Sequence, residues 1–324
     1  MKIVLTPRLA ESVAALAREM LPAGYELTVA RSDAELVAAL PAADVLMGTA
    51  SRPLPPEALA MMGNLKLVQL FSAGYDAIDV EAMRRLHLPV ATNGGANAIG
   101  VAEHAIMLML TVYRDLTALD ARVKTGNWRR GAIGGQNFLE LTGKTVGIVG
   151  LGMIGREVAK HLRGFDVTAL YYDVVRPDPE TERALAVRYV PLAELLARAD
   201  IVTLHTPLLP ATQHLINRES LRTMKHSAIL INAARGGLVD HEALYKALKE
   251  GVIAGAGLDV TEPEPPPADY PLFALPNVTL TPHIAGSTIE GWPRRLRNAY
   301  ANIARVAAGQ KPLWVIPELR ELLG

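Results

Sequence analysis

The chain has 324 residues, 50% hydrophobic and 20% charged, with 33 basic and 33 acidic residues and no cysteine. That length exceeds one ordinary core and suffices for two domains, and a net charge of zero gives no field to draw nucleic acid or an anionic membrane, so neither is an expected partner. Lacking cysteine, the chain can have no disulfide, thiolate nucleophile or Cys-ligated metal, and no metal site is expected; a start at MKIVLTPRL without a signal-like apolar run, and an apolar stretch at 105–112 too short for a bilayer, make the cytoplasm the expected compartment.

Short β-branched runs at 2–5, 26–30, 45–48 and 67–71 alternate with Ala/Leu-rich stretches at 9–20, 33–40 and 55–62, which predicts a parallel sheet covered by helices. One long helix is predicted over 100–125, with Gly126 as its stop. After Trp128 comes a glycine-containing loop, then LTGKTVGIVGLGMIGREVAKHLRGF and VTALYYDV, an apolar strand feeding a glycine turn, a helix and a second strand. Alternation continues through 192–198, 201–204, 220–224, 228–232, 241–250, 255–260 and 278–281, predicting a second parallel sheet. Residues 263–271, PEPPPADYP, read as a stiff loop, 288–308 as a long helix returning to the first domain, and 312–317 as an extended tail.

Gly150, Gly152 and Gly155 form GLGMIG between the strand at 145–149 and the following helix. The first glycine permits a tight turn, the second lets the backbone approach a pyrophosphate, the third lets helix pack on strand, and the helix N-terminus offers unpaired N–H groups. Such a turn also has purely structural uses. Asp173, at the end of the next strand, is placed to accept adenosine ribose hydroxyls and makes the combination point to NAD, while Arg176 three residues on could swing toward a 2′-phosphate.

Arg235 in NAARGGLVD follows the apolar strand at 228–232; there it reads as a surface residue capping a loop or as a planar fork that holds a carboxylate and polarises its neighbouring carbonyl. Asp259, Glu262 and Glu264 in GLDVTEPEP read as a solvated acidic loop, or, for Glu264, as the carboxylate partner of a histidine base. His283 in TPHIAGST closes the last predicted strand; an imidazole can donate and accept a proton near neutrality, though a capped or core histidine would fit the same position. His104, His205 and His214 are assigned to structure or surface.

Taken in order and spacing, GLGMIG with Asp173, VTLHTPLLPATQHLIN, INAARGGLVDHEAL, AGLDVTEPEP and TPHIAGST resemble the D-isomer-specific 2-hydroxyacid dehydrogenase family, over residues 65–313. The resemblance implies two Rossmann-like or flavodoxin-like parallel-sheet α/β domains, an NAD-binding domain (98–286) inserted into a discontinuous substrate domain (1–97 and 287–324). It implies that Arg235 binds the carboxylate and carbonyl of a small 2-oxo or 2-hydroxy acid, that Glu264 supports His283, and that His283 is the general acid/base. Val101, Met153, Ile154, Thr206, Pro207, Ala233 and Asp259 would join the glycines, Asp173, Arg235 and His283 around NAD. Ala73 and Gly74, in FSAGYDAID, would hold the carboxylate through backbone N–H groups, with Asn97 nearby. A homodimer paired through the NAD-binding domains, the 100–125 helix contributing, is implied as well.

Departures from the family narrow the substrate. Leu70 stands where phosphoglycerate dehydrogenases carry an arginine, and the chain has no room for their regulatory extension; Arg52 or Arg294 could nonetheless reach a phosphate. Ala73 replaces the lysine of phosphite dehydrogenases, and Glu264 is a glutamate that formate dehydrogenases lack. Glyoxylate and hydroxypyruvate reductases match best, ahead of D-lactate-type and phosphoglycerate enzymes. A competing class is the NAD-sensing corepressor of the C-terminal-binding-protein type, disfavoured because its disordered tails have no counterpart here.

Overall fold

A computed structural model describes residues 1–49, 52–128 and 138–324; the glycine-containing loop expected after Trp128 lies outside them. The chain forms two compact units, residues 1–97 with 287–324, and residues 98–286.

In the first unit β1 (Lys2–Leu5), β2 (Glu26–Val29), β3 (Val45–Gly48), β4 (Leu67–Leu70) and β5 (Val90–Ala91) are all parallel, in the order β2-β1-β3-β4-β5. VLMG of β3 and LVQL of β4 are buried at every position, as strands covered on both faces must be. The chain crosses over through α1 (Glu11–Glu19), α2 (Asp33–Ala39), α3 (Pro56–Ala60) and α4 (Val80–Arg85). Ser32 caps α2 and Asp79 caps α4, each accepting an otherwise orphaned helix N–H. The short β5 and α4 carry too little periodicity to be seen in the sequence.

The second unit opens with α5 (Ala98–Arg114) and α6 (Leu116–Lys124). The single helix expected over 100–125 is therefore two. Asp115 adopts φ 49°, a left-handed conformation that aspartate tolerates better than most residues, and this ends α5. Ten residues of α5 are buried and none of α6, so beyond the break the helix leaves the core. Then β6 (Thr145–Val149), α7 (Met153–Leu162), β7 (Thr168–Tyr172), α8 (Pro179–Leu185), β8 (Val187–Tyr189), α9 (Leu192–Arg198), β9 (Ile201–Leu204), α10 (Arg218–Thr223), β10 (Ile229–Asn232), α11 (His241–Lys249), β11 (Gly255–Leu258) and β12 (Val278–Leu280) alternate; α8 and β8 are additions to the expected pattern.

These strands pair in parallel in the order β12-β11-β10-β9-β6-β7-β8. The order reverses between β6 and β9, and in such sheets ligands bind outside the carboxyl ends of the strands at that point. Alternate residues feed two cores: Val149, Leu170, Val202 and Leu230 pack with α9, α10 and α11, while Ile148, Tyr171, Ile201 and Ile231 pack with α5 and α7.

The chain then returns to the first unit. The last helix, α12, begins at Gly291 rather than 288, where Thr288 Oγ1 accepts the Gly291 N–H, and it runs to Ala307. Leu296, Ala299 and Ile303 join the core of the first sheet. Buried Asn302 donates to Gln69 on β4 (2.8 Å) and accepts from Leu313 N–H (2.7 Å), which fixes the helix on the sheet. The tail is bridged to β5 through Val315 and Ala91, then coils into 3-10 turns over Pro317–Leu323, beyond the extended segment expected there. Among the described residues no helix is long and apolar enough to cross a membrane.

Candidate cofactor and active site

The glycine turn sits at the reversal of strand order. Gly150 has φ +94°, a conformation that penalises any Cβ, and a Cβ there would lie 2.6 Å from the His205 carbonyl oxygen of the adjacent β9 loop. At Gly155 a Cβ would collide with the Gly150 carbonyl, so both glycines are demanded by packing. Gly152 differs: it is the N-cap of α7, and a Cβ there would meet nothing within 4 Å. Its backbone faces open space, as the approach of a pyrophosphate requires. The Asp173 carboxylate accepts the Leu151 N–H (2.7 Å) and the Val175 N–H (2.9 Å), so the turn itself holds it beside the helix N-terminus. Val101, Ala233 and Ala285, with Ile154 packed against them, form a small apolar cluster, and Met153 is half exposed. Thr206 and Pro207 follow β9, and Thr212 Oγ1 donates to the Pro207 carbonyl (2.7 Å). A cradle open only at Gly152, a pinned carboxylate and an adjoining apolar floor fit a dinucleotide.

The three predicted reactive side chains come from three different loops. Arg235 ends a tight turn after β10, shaped by buried Asn232, whose side chain donates to the Arg235 carbonyl (2.8 Å) and accepts the Ala234 N–H (3.0 Å). Gly236 follows, where a Cβ would run into the backbone of Thr261, so the Arg235 turn lies directly on the acidic strap leading to Glu264. From the other side, His283 Nδ1 hydrogen bonds to Glu264 Oε1. Burial opposes ionisation of Glu264, but the His283 hydrogen bond and charge, the Thr261 N–H and the charge of Arg235 outweigh it and hold the carboxyl below its usual range. Both side chains keep a solvent face, with relative exposures of 46% for His283 and 39% for Glu264.

His283 itself is in the left-handed region, φ 52°, a conformation uncommon outside glycine, and its loop is tightly held. Asp259 is the centre of that loop. Its carboxylate, 1% exposed, accepts from Thr281 Oγ1 (2.6 Å), Ile284 N–H (3.0 Å) and Ala285 N–H (2.8 Å), and its carbonyl accepts the His283 N–H (2.7 Å). His104 on α5 adds a bond to Thr281 Oγ1 (2.9 Å). Burial holds His104 below its ordinary pKa, against the opposing charge of Asp259, so it stays neutral and Nε2–H donates to the hydroxyl that in turn donates to Asp259. Sequence reasoning assigns His104 to structure or surface; only its fourfold spacing from Gly100 on the buried face of α5 hints at this contact. Asn232 and Tyr270 likewise carry no signal in the sequence: Tyr270 hydrogen bonds to His241 Nδ1, and His241 Nε2 lies 3.3 Å from the Gly236 carbonyl under the Arg235 turn.

In the first unit, Ala73 and Gly74 follow β4. Ser72 Oγ donates to the Gly74 carbonyl (2.6 Å), Asn93 donates to the Phe71 carbonyl (3.1 Å) and to Asn97 Oδ1 (2.8 Å), and among the described residues the Ala73 and Gly74 N–H groups make no hydrogen bond. Leu70 is 2% exposed within the core. Arg52 is paired with Asp33, and Arg294 donates to the Ala96 carbonyl (3.2 Å).

Comparison with known proteins matches residues 106–285 to the family model described as "D-isomer specific 2-hydroxyacid dehydrogenase, NAD binding domain". A glyoxylate reductase of Thermofilum pendens is 43% identical over 273 residues, covering 83% of this chain and 80% of the relative. A D-3-phosphoglycerate dehydrogenase of Archaeoglobus fulgidus is 40% identical over 267 residues, covering 82% of this chain but 50% of the relative, so the chain spans half that enzyme's length. A solved structure from Thermus thermophilus superposes with a TM-score of 0.84 at 36% identity, covering 98% of this chain and all of the other. The glycine turn, the all-parallel sheets and these matches together place the chain in the D-isomer-specific 2-hydroxyacid dehydrogenase family, as an NAD-dependent oxidoreductase acting on a CH–OH group.

Proposed function

We propose that the protein reduces small, unphosphorylated 2-oxo acids of the glyoxylate and hydroxypyruvate type with NADH, in the cytoplasm. The observation that carries this reading is the His283–Glu264 pair held beside the Arg235 turn. With Nδ1 engaged by Glu264, His283 presents Nε2 to the substrate oxygen, giving it a proton in reduction and taking one in oxidation. Glu264 stabilises the charged imidazole and fixes its orientation, as an orienting carboxylate does for other histidine bases. Arg235 holds the substrate carboxylate and polarises the carbonyl; the Ala73 and Gly74 N–H groups, with Asn97, are the groups we assign to the substrate in the first unit. Val101, Gly150, Gly152, Met153, Ile154, Gly155, Asp173, Thr206, Pro207 and Ala233 would hold NAD, and Asp259 acts there chiefly by fixing the His283 loop. When bound, the nicotinamide supplies or accepts the hydride.

Absence of a cation at Leu70, and the engagement of Arg52 by Asp33, argue against a phosphate on the substrate, since a buried dianion without a partner costs several powers of ten in specificity. The test is kcat/KM with NADH for glyoxylate, hydroxypyruvate and phosphohydroxypyruvate at one salt concentration. The unphosphorylated acids should lead; a clear advantage for the phosphorylated one would make phosphoglycerate oxidation the better function, and no turnover of any would favour a sensor. We also infer a homodimer: an apolar groove of 680 Å³ along α5, α6 and α7, lined by Ile106, Met107, Leu110, Leu116, Leu119 and Phe138, suits a second copy. Leu110→Asp with Leu116→Asp should then yield a monomer in light scattering.

A further inference from the structure

Three residues beyond Asp173 lies Arg176, the cation best placed by sequence to meet a 2′-phosphate. Its guanidinium is taken. Nε donates to Glu182 Oε1 at 2.7 Å and Nη2 to Glu182 Oε2 at 2.9 Å, a two-pronged fork, and the guanidinium carbon stands 5.3 Å over the Tyr189 ring. Glu182, on α8, has a side chain 13% exposed and also accepts the hydroxyl of Tyr171, a residue of β7 buried completely and packed edge-on against Tyr189. The hydrogen bonds from Arg176 and Tyr171 overcome the cost of burial and pull the Glu182 carboxyl down to about 2, while the same pair raises Arg176. Asp173 is held separately, by the Leu151 and Val175 N–H groups. A cation three residues from the carboxylate assigned to the ribose thus has its Nε and Nη2 donors committed to α8, although its side chain is 59% exposed.

We propose that Glu182 is a specificity-determining positioning residue, which withholds Arg176 from a 2′-phosphate and so makes the preference for NAD rest on Glu182 as well as on Asp173. This builds on the reading of the glycine turn and Asp173 as the adenosine site. NAD and NADP differ only in that phosphate, and a freed guanidinium is the side chain whose planar fork suits it. Sequence proximity of Arg176 to Asp173 is therefore misleading, because α8 supplies its partner.

The test measures binding, by calorimetry, of NADH, NADPH, AMP and adenosine 2′,5′-bisphosphate to the wild type, Glu182→Gln, Arg176→Ala and the double variant. Glutamine keeps an acceptor for the Tyr171 hydroxyl while releasing the charge. Glu182→Gln should tighten NADPH and the bisphosphate by about 5- to 10-fold, as one new charge-assisted contact would, and leave NADH and AMP within about twofold. The gain should shrink with added salt and vanish in the double variant. Arg176→Ala alone should leave NADPH affinity as in the wild type, because the arginine is already withheld, and this arm stands even if Glu182→Gln folds poorly. Unchanged NADPH affinity in a well-folded Glu182→Gln, a gain that survives loss of Arg176, or weaker NADPH binding by Arg176→Ala would each overturn the proposal. Failure of the wild type to bind NADH and AMP would instead sink the underlying assignment of the turn.

Discussion

Both sheets begin alike, with a short buried parallel strand running into a helix, yet their first turns are opposites. After β1 the chain passes through Thr6, Pro7 and Arg8 to α1, whose N-cap, Ala10, makes no side-chain cap and whose first turn carries Glu11. A carboxylate there meets the positive end of the helix itself and repels an incoming anion. After β6 the turn presents Gly150 at φ +94° and Gly152 as N-cap with open space before it; no acidic residue lies in the first turn of α7, and the one carboxylate at the turn, Asp173, is taken up by the Leu151 and Val175 N–H groups. A parallel sheet therefore provides a crevice, but the chemistry of one βα turn decides whether that crevice takes a phosphate. Histidines divide the same way: His87 is exposed and stands alone in the first unit, whereas the second holds the remaining seven of eight.

The widest separation expected between the two regions is in turnover. His283→Asn should lower kcat by roughly 10² to 10⁴ with NADH affinity nearly intact, while His87→Asn should change neither. Near wild-type kcat for His283→Asn at neutral pH would remove the second sheet's strand ends from the chemistry. The next effect is in cofactor binding. Gly152→Val should raise the Kd for NADH by about 10- to 100-fold without lowering Tm, because a Cβ there meets no atom within 4 Å and the added side chain would occupy the approach of the pyrophosphate. Ala10→Gly in the other turn should leave NADH binding untouched. Gly150→Ala sharpens the contrast by losing both, since it strains the backbone and meets His205. Equal NADH affinity in Gly152→Val and wild type would erase the distinction between the turns.

The smallest effect is in acid stability. His241 is buried under the Arg235 turn, and burial holds its imidazole below the ordinary pKa, so the folded chain keeps it neutral where the unfolded chain takes up a proton. Its contribution is therefore complete above about pH 6.5 and is lost as the pH falls toward the lowered folded value. His241→Gln should flatten the fall of Tm between about pH 7 and 5 by about 2–4 °C, where His87→Gln should not alter its shape. Parallel Tm curves for wild type and His241→Gln would show that burial of this imidazole carries no linkage.

Much of this is legible in the sequence because the demands are local. GLGMIG and NAARGG state their turns residue by residue: Gly150 sits where φ is positive, Gly155 and Gly236 where another backbone passes within contact distance, and Gly152 where the backbone is left open, and those requirements fall on neighbouring positions. Strands buried on both faces appear as unbroken apolar runs, so β3, β6, β9 and β10 lie close to their expected boundaries. The break at Asp115 escapes notice because apolar spacing continues past it, and whether a helix stays on a core depends on what it packs against rather than on its own periodicity.

By itself, then, the sequence determined the alternation of strands and helices, the glycine turn with its carboxylate at Asp173, and the residue types able to move a proton or hold a carboxylate. The tertiary structure alone decided which of them meet. Glu264 reaches His283 across 19 positions, Asp259 gathers donors from Thr281, Ile284 and Ala285 with His104 behind them, and Glu182 takes Arg176 away from its sequence neighbour Asp173. These partners lie on loops and helices joined through parallel crossovers, so their distances are set by strand order and register, which no pattern within a single segment encodes.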